Sequence, residues 1–363
     1  MNLNELMHAE IAQAGGWLGF DRFMSLALYA PGLGYYSGGR RKFGLMPEQG
    51  SDFVTAPELS PLFGRALARQ VAQALQHSGC REVVEFGAGS GALAAQLIAE
   101  LDALGVGPVR YRIVELSASL RERQRERLAR WADRVDWLDA LPDTLEAVCV
   151  GNEVLDAMPV QLLAFDGQRW CERGVVSAGA GFAFEDRDTA LRPPLDAAYV
   201  PGTVTEIHAQ AEAFVATLAG HLRRGALFLI DYGFPEAEYY LPQRHGGTLM
   251  CHQAHRADPD PLVDVGDKDI TAHVNFTGIA LAGQEAGLEV LGYTSQGHFL
   301  LNCGLAELMA DADLPARAMA HRLMAEHEMG ELFKVIGFAA PGGSFDALGF
   351  VRGDRSHKLR ARL

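Results

Sequence analysis

The chain is short of paired cysteines, long apolar runs and positive charge, and each shortage excludes something. Its five cysteines (Cys80, Cys149, Cys171, Cys251 and Cys303) are scattered, odd in number and never in a CxxC pair. That pattern fits reduced thiols and argues against a disulfide framework. No window approaches the roughly 20 consecutive apolar residues that span a bilayer, so membrane insertion is not expected. The opening stretch MNLNELMHAEIAQAGG has acidic residues and no continuous apolar core, unlike a secretory signal, and lacks the Arg- and Ser-rich bias of a transit peptide. With 32 Lys and Arg against 46 Asp and Glu, the net charge of -14 disfavours a nucleic-acid partner. The one arginine-rich stretch, RERQRERLARWADR, interleaves Glu with Arg at helical spacing and reads as a solvated helix face.

Hydrophobic spacing divides the 363 residues into four parts. Residues 1–78 read as an N-terminal helical and lid region. Trp17, Phe20, Phe23, Met24, Ala27 and Leu28 recur at spacings of three and four, and PLFGRALARQVAQALQ is a second helix. Between them lies a long loop rich in Gly, Pro and aromatics, and loops of that length are usually functional. Its Tyr35, Tyr36, Phe53 and Thr55 could close over a ligand or simply pack on the sheet. Residues 79–160 alternate short apolar strands with helices: EVVEF, GALAAQLIAELDAL, RYRIVEL, SASLRERQRERLARWA, VDWL and AVCVGN. That alternation predicts a doubly wound, mostly parallel α/β sheet. Residues 161–200 switch to antiparallel strands with Gly turns, an insertion in the wound sheet. Residues 201–363 complete the core. A helix is expected over VTEIHAQAEAFVATLAGHLRRG, with Thr203 and Glu206 spaced as a capping box, then the strand ALFLIDYG and a polar loop over 241–269. DITAHVNFTGIALAGQEAGL and LAELMADADLPARAMAHRLMAEHEM read as helical, and EVLGYTSQ and GFVRG as strands.

The segment VVEFGAGSGAL sets Gly87, Gly89 and Gly91 between a strand and a helix. Glycines let the chain turn tightly and bring a ligand against bare backbone, while the helix start presents free N–H groups. Such a turn also serves as a plain corner. Gly87, Gly89 and Ala92 satisfy the dinucleotide pattern G-x-G-x-x-A. Glu85 points elsewhere, because a carboxylate two residues before the first glycine suits a cationic ligand better than a pyrophosphate. The E-x-G-x-G-x-G form resembles the first motif of S-adenosylmethionine-dependent methyltransferases, where the acid faces the cationic methionine end. Glu115, closing RYRIVEL, can accept hydrogen bonds from both ribose hydroxyls in either fold. Trp137 and Leu138 end the third strand as apolar walls for adenine, or as core.

Taken in order, FMSLALYAPGLGYYSGG, DFVTAPELSPLFG, VVEFGAGSGALA, NEVLDAMPV, TEI, IDYGF, GTLMCH and DITAHVNFT resemble the MidA-like methyltransferases, from about residue 17 to beyond 300. The resemblance implies a class I methyltransferase: a seven-stranded Rossmann-like sheet with an added N-terminal helical region and a β insertion, using S-adenosylmethionine. Mitochondrial members of that family are assembly factors for respiratory complex I. Its best-understood role is dimethylation of an arginine on a complex I subunit. The implied partner is therefore a protein substrate with an accessible arginine, and a homodimer is left open. A bacterial cytoplasmic protein is the implied setting. Ser51, Val265 and Asn275 depart from the family pattern, where glycine, proline and aspartate are expected. Two other functions are compatible with parts of the pattern. One is a non-catalytic cofactor-binding assembly chaperone. The other is a nicotinamide-dependent oxidoreductase, whose second nucleotide half the insertion after Pro159 would interrupt.

In a wound sheet the active site lies beyond the carboxyl ends of the strands. AVCVGN is the fourth strand, so Asn152 and Glu153 are expected beside the reacting methyl, with Asp156 three residues on, at the start of a helical turn. For the arginine that the resemblance implies, paired carboxylates can fix the guanidinium plane and draw its charge away from the attacking nitrogen. Capping of the next turn is the plainer role for Asn152 and Asp156. Asp231 ends the fifth strand as pocket wall or turn. His273 reads as a proton acceptor near the substrate or as a structural histidine. His252 and His255, with Asp258, Asp260 and Asp264, lack zinc spacing, and no metal is expected.

Overall fold

The strand and helix alternation folds as its spacing predicts, and a computed structural model describes residues 1–38, 55–253 and 256–359. Ser51, Phe53 and His255 lie outside the described residues. Seven strands build the central sheet: β1 (Glu82–Phe86), β2 (Arg110–Val114), β3 (Val135–Leu138), β4 (Leu145–Asn152), β5 (Leu222–Phe234), β6 (Glu289–Ser295) and β7 (Phe333–Ala339). Their order is β6-β7-β5-β4-β1-β2-β3, and a short strand, Val274–Asn275, pairs with the end of β5. Strands β1 to β5 run parallel, while β7 lies antiparallel between β5 and β6. The order reverses between β1 and β4, and such a switch point opens the crevice where open α/β sheets bind ligands.

Both faces of the sheet are covered, which is why its central strands read as unbroken apolar runs. Val83, Val148 and Val150 pack against helices Pro61–Ser78 and Ala92–Ala103 on one face. Val84, Ala147 and Cys149 pack against Ala209–His221 and Phe276–Glu285 on the other. Helix Pro61–Ser78 starts on a Ser60 cap with proline at its first position and stops at left-handed Gly79.

A second sheet of five antiparallel strands holds Leu18–Gly19, Gln161–Phe165, Trp170–Ala178, Gly181–Asp188 and Val204–Ile207. Helices Leu3–Gln13 and Phe20–Tyr29 pack on it through Met7, Phe20 and Phe23, which meet Leu162 and Val175. The N-terminal region is thus joined to the insertion by a core of its own.

Five expectations need correction. The polar loop expected over 241–269 carries two strands, Met250–Gln253 and Arg256–Asp258, and the first pairs antiparallel with both the second and Asp269–Thr271 in a three-stranded sheet. Val204–Ile207 is a strand, paired with Gln161–Ala164, and not the start of a helix. Thr203 bonds Val200, Glu206 is fully buried, and the helix begins at Ala209 after His208. Sheet pairing and burial outweigh the capping-box spacing there, and the antiparallel sheet reaches past residue 200. Trp17 stands outside the helix Phe20–Tyr29, its indole donating to the Glu185 carbonyl at 2.9 Å. In DITAHVNF, Asp269–Thr271 and Val274–Asn275 are extended, and the helix starts at Phe276 with Asn275 as its cap. Only Gly349 and Phe350 of GFVRG lie in regular structure, the 3-10 turn Leu348–Phe350, and the closing strand is Phe333–Ala339, whose seven residues are all buried.

Candidate active site

A cavity of about 800 Å³ opens at the carboxyl ends of β1, β2, β4 and β5. Its floor on one side is the glycine turn. Gly87, Gly89 and Gly91 have φ of +63°, +53° and +82°, the left-handed region that glycine alone enters freely. A Cβ on Gly87 would stand 3.2 Å from Val154, and one on Gly91 3.4 Å from Gln124. The positive φ at all three positions, more than crowding, is what keeps the turn bare. Glu85 is buried at the cavity edge, with the Tyr111 hydroxyl donating to it at 2.7 Å. Burial pushes its carboxyl up to about 8, with Tyr111 opposing and Glu115 adding to the rise.

Glu115 follows β2 by one residue and borders the same space. It accepts from the Ser117 backbone N–H at 2.9 Å and from Gln124 Nε2 at 3.1 Å, and burial raises its pKa against those bonds. Trp137 and Leu138, expected as adenine walls, do not border the cavity, whereas Leu116 and Leu120 do. The Trp137 indole is turned to donate to Gln124 Oε1 at 2.8 Å, and Leu138 packs against the core of the sheet. Gln124, in the stretch read as a solvated face, is fully buried.

On the other side β4 delivers Asn152, Glu153 and Asp156, all of which border the cavity. The 153–156 segment is a non-helical turn rather than a helix start. Glu153 holds φ of +54°, a left-handed value that strains any residue with a Cβ, and its N–H donates to the Ile230 carbonyl at 2.8 Å. Asn152 Nδ2 donates to Glu153 Oε1 at 2.9 Å, and Tyr232 donates to Asp156 Oδ2 at 2.5 Å. Asn152 Oδ1 and Asp156 Oδ1 are buried and have no hydrogen-bond partner among the described residues. Burial pushes Glu153 up to about 8, helped by the charge of Asp156, and raises Asp156 as well.

Asp231 does not border the cavity. Its Oδ2 accepts from the backbone N–H groups of Val154, Leu155 and Asp156 at 3.1, 2.9 and 3.2 Å, and Oδ1 accepts from Tyr232 N at 2.9 Å. It is a clamp that shapes the 153–156 turn. Burial, then Asp156 and Glu153, raise its pKa, and the backbone donors oppose them.

His273 borders the cavity edge-on to Tyr232, with ring centroids 5.1 Å apart, and its Nδ1 is buried without a partner among the described residues. Burial, with Arg244 and Lys334 nearby, pushes it down to about 4, so at neutral pH it is uncharged and a weak base. Of the two adjacent tyrosines, Tyr35 is buried away from the cavity and Tyr36 borders it, donating to Asp269 at 2.9 Å. Thr55 borders the cavity ahead of the short helix Ala56–Leu59. Arg127 ties that helix to the glycine turn, bonding Glu58 at 2.9 Å and Ser90 at 2.6 Å. His252 also borders the cavity, and among the described residues no group of three His, Cys, Asp or Glu side chains could hold a metal ion.

Sequence reasoning missed Gln124, Tyr232 as a partner of Asp156, and the clamp at Glu206. The Glu206 carboxylate accepts from Thr248 N at 2.7 Å, Leu249 N at 2.9 Å and the Tyr239 hydroxyl at 2.7 Å, fixing the cavity wall at Thr248. The available signals were a lone neutral side chain among alternating charges at 124 and the acid of TEI at 206.

Comparisons with known proteins agree with this geometry. Residues 66–294 match the family described as "Putative S-adenosyl-L-methionine-dependent methyltransferase". A crystal structure of a Burkholderia thailandensis COG1565 superfamily member bound to S-adenosyl-homocysteine is 54% identical, with a TM-score of 0.94 over 98% of this chain and 96% of that one. A native crystal structure of a COG1565 superfamily protein from the same bacterium is 53% identical, with a TM-score of 0.89 and the same coverage of 98% and 96%. The zebrafish (Danio rerio) protein arginine methyltransferase NDUFAF7, mitochondrial, is 26% identical over 372 residues, 88% of this chain and 83% of that protein. Its Caenorhabditis elegans homolog is 25% identical over 327 residues, covering 78% and 72%.

Proposed function

The chain belongs to the S-adenosylmethionine-dependent methyltransferase family, and from that premise we propose that it methylates an arginine side chain of a protein. The residues present fit the cofactor. A bare turn with three left-handed glycines, a buried acid at its cationic end (Glu85) and an acceptor for ribose hydroxyls (Glu115) surround one cavity. When bound, S-adenosylmethionine supplies an electrophilic methyl group carried on cationic sulfur.

The observation that carries the arginine reading is a pair of buried oxygens, Asn152 Oδ1 and Asp156 Oδ1, flanking Glu153 on the cavity wall and without a partner among the described residues. A guanidinium offers five N–H donors in a planar fork, enough to satisfy such a set of acceptors at once, whereas a lysine ammonium is a compact point charge. Binding through paired N–H bonds holds the acceptor nitrogen in place and keeps water out, which is most of what a displacement at methyl asks of a protein. Each methylation releases one proton from the acceptor. Burial pushes Glu153 up to about 8 in the ligand-free cavity, so it is mostly protonated at neutral pH; a bound guanidinium favours its ionised form, and that form is the one suited to take the proton. His273 at about 4 is the weaker candidate.

The substrate we propose is a respiratory complex I subunit, methylated during assembly in a bacterial cytoplasm. Support comes from the relatives named as mitochondrial protein arginine methyltransferases and from the family resemblance. The test is incubation of the full chain with methyl-labelled S-adenosylmethionine and lysate from cells lacking it. One discrete labelled band that yields methylarginine on hydrolysis, and that Glu153→Gln fails to produce, is the expected result. Label on lysine, or none on protein, defeats the proposal, and the second outcome would favour the chaperone.

A further inference from the structure

We propose that Gln124 is a positioning residue for the cofactor: its single amide orients Glu115 towards the ribose and pins the glycine turn that receives the nucleoside. The side chain is fully buried in a run, RERQRER, where every neighbour is charged. Its Nε2 donates to the Gly89 carbonyl at 2.9 Å and to Glu115 Oε2 at 3.1 Å, and its Oε1 accepts from the Trp137 indole at 2.8 Å. The amide orientation follows from chemistry. An indole N–H can only donate, so the amide oxygen must face Trp137, and both amide hydrogens are left for the two acceptors. Every polar atom of the side chain is satisfied.

The same geometry explains why a neutral amide stands there. A carboxylate would repel Glu115 and the Gly89 carbonyl, and a cation would consume the charge that Glu115 offers a ligand. Glu115 Oε1 accepts from Ser117 N and Oε2 from Gln124, which leaves the carboxylate lone pairs to offer ribose hydroxyls. Trp137, which does not touch the cavity, acts through the amide by fixing which way it points. Gln124 also packs under the turn, its Cγ 3.4 Å from where a Cβ on Gly91 would lie.

The proposal rests on Glu115 and the turn at 87–91 holding the nucleoside, and it stands whether or not the acceptor is arginine. Its test uses the full chain with Gln124→Met, Gln124→Glu, Trp137→Phe and the Gln124→Met/Trp137→Phe double variant. Each is titrated with S-adenosylmethionine and S-adenosyl-homocysteine by calorimetry, with methyl-transfer kinetics and thermal unfolding alongside. Gln124→Met should raise Kd for both ligands about tenfold, Gln124→Glu should raise it further, and Trp137→Phe about threefold. The double variant should match Gln124→Met alone, because Trp137 works through the amide it would lack. At saturating cofactor kcat should stay within about twofold, the KM-against-kcat split that loss of positioning, unlike general destabilisation, produces. Wild-type Kd in Gln124→Met, additive effects in the double variant, or a fall in kcat at unchanged Kd would overturn it. If Gln124→Met does not fold, Trp137→Phe decides alone, and an unchanged Kd overturns the proposal. Glu115→Ala is the control. Normal binding there defeats the nucleoside site itself, whereas loss there with normal binding in Gln124→Met defeats only the role of Gln124.

Discussion

The two sides of the cavity draw on different reaches of chain. On the side proposed for the nucleoside, Glu85, the turn at 87–91, Glu115 and Gln124 come from one continuous βαβα stretch. On the side proposed for the acceptor, Asp231 gathers three N–H groups 75 to 77 positions away, Glu206 holds residues 42 and 43 positions away, and Tyr36 reaches Asp269 across 233. A site built from neighbours in sequence serves any reaction that uses the same cofactor. A site assembled by distant clamps can be reshaped for one acceptor without disturbing the other half. Damage to the first should therefore read as cofactor KM, and damage to the second as kcat or acceptor KM.

The largest expected effect breaks the acceptor side at its clamp. Asp231→Ala strands three backbone N–H groups of the 154–156 turn in a buried region, at about 1–3 kcal/mol each. Unfolding should show a loss of roughly 3 kcal/mol or more, with methyl transfer abolished; intact stability would mean that the clamp is redundant. Next, Glu153→Gln should lower kcat about a hundredfold or more while cofactor KM stays within about twofold. A matching rise in cofactor KM would show that the halves are not separable. Glu115→Ala is the mirror image, with cofactor KM raised about tenfold or more and kcat at saturation preserved. Tyr36→Phe, which removes one hydroxyl bond to Asp269, should raise acceptor KM about fivefold and leave cofactor binding alone.

A further expected effect, read across pH, concerns both halves together. Glu85 and Glu153 each titrate at about 8 in the folded protein against an ordinary 4.5, chiefly through burial. Between those values the folded state holds more protons than the unfolded chain, so ligand-free stability should fall as pH rises and level off above about 8. Glu85→Gln and Glu153→Gln should each flatten part of that slope in unfolding measured across pH. An unchanged slope in both would show that neither acid is protonated at neutral pH.

Legibility followed the same division. Glu85, the three glycines and Glu115 were readable because a strand, a turn and a helix start lie within a few residues, and backbone geometry there depends on local sequence. Asn152, Glu153 and Asp156 were readable as a group at a strand end, since a wound sheet sends such residues to one edge. Asp231 ends a strand as well, yet its oxygens turn to backbone. No local pattern distinguishes an acid that meets a ligand from one that meets a peptide N–H. Gln124 was hidden by its charged neighbours, and Tyr35 and Tyr36 are identical letters on opposite sides of a wall. Glu206 carried capping-box spacing, and pairing with Leu162 put it in a strand instead.

By itself the sequence determined the wound sheet, the bare turn and the acids at the strand ends, because strand and helix periodicity and glycine's freedom at positive φ act over a few residues. Only the tertiary structure decided which of those acids face the cavity, which bind backbone, and which amide bonds Glu115. Those choices depend on what a side chain meets after folding, across separations that local spacing does not encode.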